Sequence, residues 1–155
     1  MPVVCDSSPL IALAAINRLS LLSDLFQTVL IPKAVADEIK PSLRQAPEWI
    51  KVELMKGAHP EPEFPASLGE GERQAITLAL NCGADFVVLD DLPARRVART
   101  LNLPVIGTVG ILLASKRRGF IPAIRAEMDS LLQHSFFISA DLYDRLLEAA
   151  GESRT

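Results

Sequence analysis

Asp6 closes the apolar run Val3-Val4-Cys5, and Glu38 lies within Val35-Ala36-Asp37-Glu38-Ile39. Glu72 lies within Gly69-Glu70-Gly71-Glu72-Arg73, and Asp90-Asp91 follow Phe86-Val87-Val88-Leu89. Two of these acidic groups directly follow strand-like runs, and open α/β sheets bind ligands beyond the carboxyl ends of their strands. Carboxylates gathered together repel one another and lose hydration, so a fold that gathers them does so for a cation. Hard oxygen donors suit Mg²⁺ or Mn²⁺, ions that carry phosphoryl-transfer chemistry. The pattern is that of a metal-dependent nuclease.

Each acid has a plainer alternative. Asp6 would serve as a turn or cap residue, but Ser8 before Pro9 already supplies a helix cap and leaves Asp6 to point over the sheet edge. Asp37 and Glu38 are one residue apart, so about 100° separates them on a helix and only one faces the site. Glu38, three after Val35 and beside Ile39, borders the buried stripe, whereas Asp37 suits solvent. Glu72 aligns with Ala75, Ile76 and Ala79, while Glu70 belongs to the first turn and complements the helix dipole. Asp90 is the primary ligand of its pair. Asp91 is an auxiliary metal ligand or an N-cap before Leu92-Pro93.

Cationic side chains follow the last acids. Arg95 and Arg99 share a helix face and suit substrate phosphates, with Arg96 between them. Lys116-Arg117-Arg118 end a later helix, where cations complement its C-terminus. The two histidines, His59 and His134, lie away from the acids, so Ser-His or Cys-His catalysis has no support. No phosphate-cradling or dinucleotide glycine pattern is present.

The elements that must position these groups alternate. Strands are expected at Pro2–Cys5, Thr28–Ile31 and Phe86–Leu89, with shorter ones at Val105-Ile106 and, at an edge, within Trp49–Met55. Helices are expected after Pro9, over Leu19–Phe26, after Pro32, over Gly69–Cys82 with Gly83 stopping it, over Pro93–Leu101, and over Val109–Arg118 ended by Gly119. Further helices are expected over Pro122–Gln133 and Ala140–Ala149, with a last strand at Phe136–Ile138. The proline-rich His59–Pro65 is a surface crossover. Such alternation implies α/β architecture: a three-layer α/β/α sandwich around a mostly parallel sheet.

The chain's 155 residues, 49% of them apolar, suit a single domain spanning 1–155 with a sizeable core. No run reaches the roughly 18–20 apolar residues that span a bilayer, and no leader pattern is seen, so a cytoplasmic protein without membrane contact is expected. Cys5 and Cys82 read as buried free thiols. A net charge of −3 excludes a general nucleic-acid-coating protein but not a nuclease, because bound metal reverses the local field.

Asp6-Ser7-Ser8-Pro9-Leu10-Ile11, Glu38-Ile39, Gly71-Glu72-Arg73-Gln74-Ala75-Ile76 and Val88-Leu89-Asp90-Asp91 with Ala94-Arg95 together resemble PIN-like domains, from Met1 to about Gly119. The run Gly107-Thr108-Val109-Gly110-Ile111-Leu112-Leu113 is similar to an uncharacterised branch of that superfamily. The resemblance implies a Mg²⁺- or Mn²⁺-dependent ribonuclease acting on RNA, and in many members the toxin of a toxin–antitoxin pair. Asp6, Glu38, Glu72 and Asp90 match its acidic quartet, and Ser8 its small hydroxyl residue. Glu72 stands where many toxin members carry Asp, and Val88 where many carry Thr or Ser. The contrasting reading is a PIN-like binding or interaction module with a weak metal site. Leu19–Phe26 and Leu142–Ala149 are candidate surfaces for an antitoxin or a homodimer partner, unless the monomer buries them. A haloacid-dehalogenase-like phosphatase would need an acid where Ser8 stands.

Overall fold

The computed structural model describes residues 2–55 and 61–153. Five strands, β1 (Val3–Cys5), β2 (Val29–Ile31), β3 (Ile50–Val52), β4 (Phe86–Val88) and β5 (Val105–Ile106), form one sheet in the order β3-β2-β1-β4-β5. Every neighbouring pair is parallel. Parallel strands need crossovers, and helices supply them: α1 (Ser7–Ala15), α2 (Leu21–Phe26), α3 (Lys33–Ile39), α4 (Glu70–Cys82), α5 (Leu92–Thr100) and α6 (Thr108–Arg117). Two more, α7 (Arg125–Gln133) and α8 (Ala140–Ala149), complete the described chain.

Side chains of a strand alternate between faces, and here that alternation divides the core in two. Val3 and Cys5 of β1, Val29 and Ile31 of β2, and Val88 of β4 pack with Leu10, Leu13, Ile111, Met128 and Leu147. Val4 and Val87 point the other way, onto Ala75, Ile76 and Ala79 of α4 and Ala94 and Ala98 of α5. Both faces being covered explains why the central strands are unbroken apolar runs. The result is the expected three-layer α/β/α sandwich.

Local signals set the element ends. Gly83 takes the left-handed conformation (φ 62°) that closes α4, its N–H reaching Leu80 O while Ala84 N–H reaches Ala79 O. Gly119 (φ 82°) follows α6 in the same way.

Four expectations are corrected. Helix α1 begins at Ser7, with Asp6 in the cap position and no side-chain cap, so Ser8 lies inside the helix. The reason is that Asp6 N–H bonds Val88 O, holding Asp6 in extended backbone until the helix starts. Helix α7 begins at Arg125 rather than Pro122. Phe136–Ile138 is no strand: Ser135 turns at φ 64°, Phe136 N–H closes α7 on Leu131 O, and the run links α7 to α8. Cys82 is only half-buried, whereas Cys5 is fully buried. Of the proline-rich crossover, residues 61–65 are irregular as expected, and His59-Pro60 lies outside the described residues.

Candidate metal centre

The chain lays β2 and β3 on one side of β1 and then β4 and β5 on the other, so strand order reverses between β1 and β4. A crevice opens where neighbouring crossovers diverge, at the strands' carboxyl ends. Asp6 follows β1 immediately, and Asp90 follows β4 by two residues. The register Cys5↔Val88 sets the two strand ends side by side.

Asp6 is 1% exposed, and its Oδ1 has no hydrogen-bond partner. Burial lifts its carboxyl from the ordinary 3.8 to about 7, opposed by the Ser7 backbone N–H and reinforced by the charges of Glu72, Glu38 and Asp90. The charges of the other three acids therefore all reach Asp6. Glu38 approaches from α3, with Oε2 accepting a hydrogen bond from Ser7 Oγ at 2.9 Å. Asp37 turns to solvent between Lys33 and Lys40 at 3.3 and 3.4 Å, as its place on the helix requires.

Glycine lets α4 come close. A Cβ on Gly71 would collide with Glu38 Oε1 and lie 3.3 Å from Asp6 Oδ1. These two carboxylate oxygens therefore meet over the bare first turn of α4. Glu72 folds back over the same turn, Oε2 lying 2.6 Å from where a Gly69 Cβ would be. Glu70 stays exposed in that turn and accepts Gln74 Nε2 at 2.8 Å.

Asp90 is gripped at both oxygens. Thr108 N–H donates to Oδ1 at 2.7 Å and Thr108 Oγ1 to Oδ2 at 2.6 Å. Burial raises its carboxyl, against the pull of the Thr108 hydroxyl and N–H and of Arg95. A Cβ on Gly107 would stand 2.7 Å from an Arg95 terminal nitrogen and 3.0 Å from Asp90 Oδ1, so Gly107 gives the guanidinium room beside Asp90. Asp91 is the N-cap of α5, Oδ2 accepting Ala94 N–H at 3.0 Å, and it sits on the exposed rim.

A cleft of about 640 Å³ opens over part of this site, its polar lining being Ser8, Glu72, Asp90, Asp91, Arg95 and Ser139, while Asp6 and Glu38 lie outside that lining. Arg99, one turn further along α5, is exposed and outside the lining. Lys116 and Arg117 stand in the last turn of α6, as expected of cations at a helix C-terminus, and Lys116 Nζ also bonds Glu152 at 2.9 Å and the Ala150 carbonyl. The hydroxyl on Glu38 belongs to Ser7 rather than Ser8. Ser7 and Thr108 were not singled out from the sequence. Their signal is positional, since each is the first residue of the helix that follows a strand, β1 for Ser7 and β5 for Thr108.

Among the described residues no three or more Asp, Glu, His or Cys side chains are gathered closely enough to hold a metal ion between them. Mg²⁺ seldom needs such a cluster, taking one or two carboxylates and keeping several waters. The orphaned Asp6 Oδ1 beside Glu38 Oε1 fits that demand, with the charges of Asp90 and Glu72 reaching Asp6.

A solved structure of a PilT N-terminus domain protein from the hyperthermophilic archaeon Sulfolobus solfataricus P2 is similar in fold, with a TM-score of 0.54. It is 18% identical, and the match covers 74% of this chain and 93% of that one. No curated protein matches the chain in sequence. The family model described as PIN domain matches residues 2–152, nearly the whole length, and in accord with its parallel sheet and acidic switch point the chain belongs to the PIN domain family.

Proposed function

We propose that this protein is a Mg²⁺- or Mn²⁺-dependent endoribonuclease, consistent with a family whose members are typically nucleases. The observation that carries the reading is the buried, unpartnered Asp6 Oδ1 at the strand switch point, reached by the charges of three further carboxylates. An ion bound there would act as a Lewis acid toward a phosphodiester and supply activated water.

The chain's own groups have separable roles. Asp6 and Asp90 would be the central ligands of such an ion, and Asp6, whose carboxyl is raised to about 7, would have to be deprotonated to serve. Thr108 locks Asp90 in orientation, and Ser7 does the same for Glu38, a ligand through water. Glu72 is a second-ion ligand or general base. Arg95, beside Asp90 with its buried Nε unpartnered, is placed to hold a substrate phosphate. Ser8 on the cleft wall, Arg99 further along α5 and Asp91 at the rim are peripheral substrate or water contacts. Pairing with an antitoxin, or with a second copy, belongs to the same proposal.

Asp6→Asn or Asp90→Asn is expected to abolish Mn²⁺-dependent RNA cleavage while preserving the circular dichroism spectrum. Wild-type cleavage by both variants would remove the site assignment.

A second reading, a PIN module without catalysis, is favoured by one observation: each oxygen of Asp90 already accepts a hydrogen bond from Thr108, which leaves less capacity for a cation. Calorimetric titration with Mn²⁺ separates the two, since a module that takes up none at millimolar concentration cannot run this chemistry.

A further inference from the structure

The cleft is also lined by apolar side chains. Phe136, Phe137, Leu92, Val109 and Leu142 share it with the carboxylates and Arg95. Phe137 is 84% exposed and Leu92 63% exposed, a costly way to place large apolar side chains unless something covers them. The loop that carries Phe137 is pinned at both ends. Phe136 N–H and His134 N–H both bond Leu131 O, Phe136 packs against the core, and Ile138 is buried. Ser139 Oγ caps α8 through Leu142 N–H at 3.1 Å, and Tyr143 Oη ties α8 to Asp129 of α7 at 2.6 Å. An exposed ring on a pinned loop is already ordered, so little freedom is lost when a ligand settles on it.

We propose that Phe137 is a nucleobase-stacking residue, which makes the cleft specific for a nucleotide whose base is free of a duplex. A cleft lined by carboxylates, a guanidinium and an exposed aromatic ring matches the two halves of a nucleotide. The phosphate belongs with the cation sites, and the flat π-face belongs with the ring. A base inside a duplex is stacked on its neighbours and offers only its edge, so it cannot use this ring. Stacking tolerates every base, so Phe137 selects strandedness rather than sequence. The inference rests on the nuclease reading for the identity of the ligand, but on separate residues.

The test uses a single-stranded RNA decamer carrying 2-aminopurine, and its duplex, titrated with the full-length protein in Ca²⁺, an oxygen-ligated ion. Wild type is expected to quench the fluorescence of the single strand. Phe137→Ala should weaken single-strand binding roughly five- to a hundredfold, the range found when a stacking aromatic is removed, and abolish the quench. Phe137→Trp should restore both, and binding of the duplex should be the same for all three proteins. The proposal fails if Phe137→Ala binds the single strand within about twofold of wild type. It fails equally if the duplex loses as much, or if Trp restores nothing; the exposed apolar lining is then a protein-docking surface. Cleavage in Mn²⁺ by wild type and Phe137→Ala reports on the nuclease reading independently, because an inactive wild type that still shows the quench overturns catalysis and not stacking.

Discussion

At the scale of single residues, the site depends on side chains that are absent as much as on those present. Gly71 brings two carboxylate oxygens against helix backbone, and Gly107 gives Arg95 room beside Asp90. A methyl group at position 71 meets the mobile end of Glu38, which can swing aside, so the damage falls on the site more than on the fold. Gly71→Ala is expected to weaken Mn²⁺ binding about tenfold, in line with losses on disturbing ligand support, while the melting temperature shifts by only a few degrees. Unchanged Mn²⁺ affinity by calorimetry would show that Glu38 plays no part in the ion site. Buried Cys5 lies directly beneath this region with its thiol pushed up by burial and by the charges of Asp6 and Asp90, which keeps it protonated and inert.

At the scale of elements, helix termini organise the structure. Gln74 Oε1 on α4 accepts the otherwise unpaired first-turn N–H of Ala34, fastening α3 to α4 and with it Glu38 over Gly71. Glu152 does comparable work at the C-terminal end. Its oxygens accept Lys116 Nζ at 2.9 Å, Ile124 N–H at 2.8 Å and Arg125 N–H at 3.2 Å, joining α6, the start of α7 and the tail. Burial pushes its carboxyl up, yet these donors outweigh burial and hold it below the ordinary range. Glu152→Ala strands the N–H groups of Ile124 and Arg125 and leaves Lys116 only the Ala150 carbonyl, and is expected to cost about 1–3 kcal/mol, read as a lower urea midpoint at unchanged m-value. A loss under about 0.5 kcal/mol, ordinary for surface positions, would mean the cluster adds nothing. Elements also account for apolar surface: Leu21 and Leu22 of α2 and Leu146 and Leu147 of α8 are buried within the monomer. The apolar stripes proposed for partners are therefore largely covered by the chain's own core.

For the molecule as a whole, gathering acids at the switch point makes stability depend on pH and on metal. Unfolded, Asp6 titrates near 3.8; folded, near 7. Between those values the folded chain holds a proton that the unfolded chain releases, so stability of the metal-free protein falls as pH rises through that window, by at most about 1.4 kcal/mol per unit. Asp90, also raised, acts in the same direction. Glu152, lowered, costs stability only toward acid pH, below its ordinary 4.5, and so does not mask the effect. In chelator, the melting temperature of wild type relative to Asp6→Asn is expected to decline from pH 4.5 to 7. Mn²⁺ at neutral pH should reverse the decline in wild type by mass action. Identical pH profiles for the two proteins would show that Asp6 carries no elevated proton.

The fold, and the standing of Asp6 and Asp90 just beyond strand ends, were legible in the sequence because both follow from local rules. Apolar runs buried on two faces must be central parallel strands, and an acid straight after such a run must lie at the sheet's carboxyl edge. Gly83 and Gly119 marked their helix ends because only a left-handed residue closes them there. The sheet order, and with it the meeting of Asp6 and Asp90, came only from tertiary structure, since strands three residues long carry too little pattern to name their neighbours. Tertiary structure likewise chose Ser7 over Ser8, made Asp91 a cap, left Arg99 outside the cleft and tied Thr108 to Asp90 across 18 residues. It also turned Phe136–Ile138 from an apparent strand into a link whose Phe136 and Phe137 line the cleft. Sequence determines which groups are able to do chemistry and at which end of an element each stands. Which of them share a volume is decided by packing, because hydrogen bonds and charges act through distance in space and not along the chain.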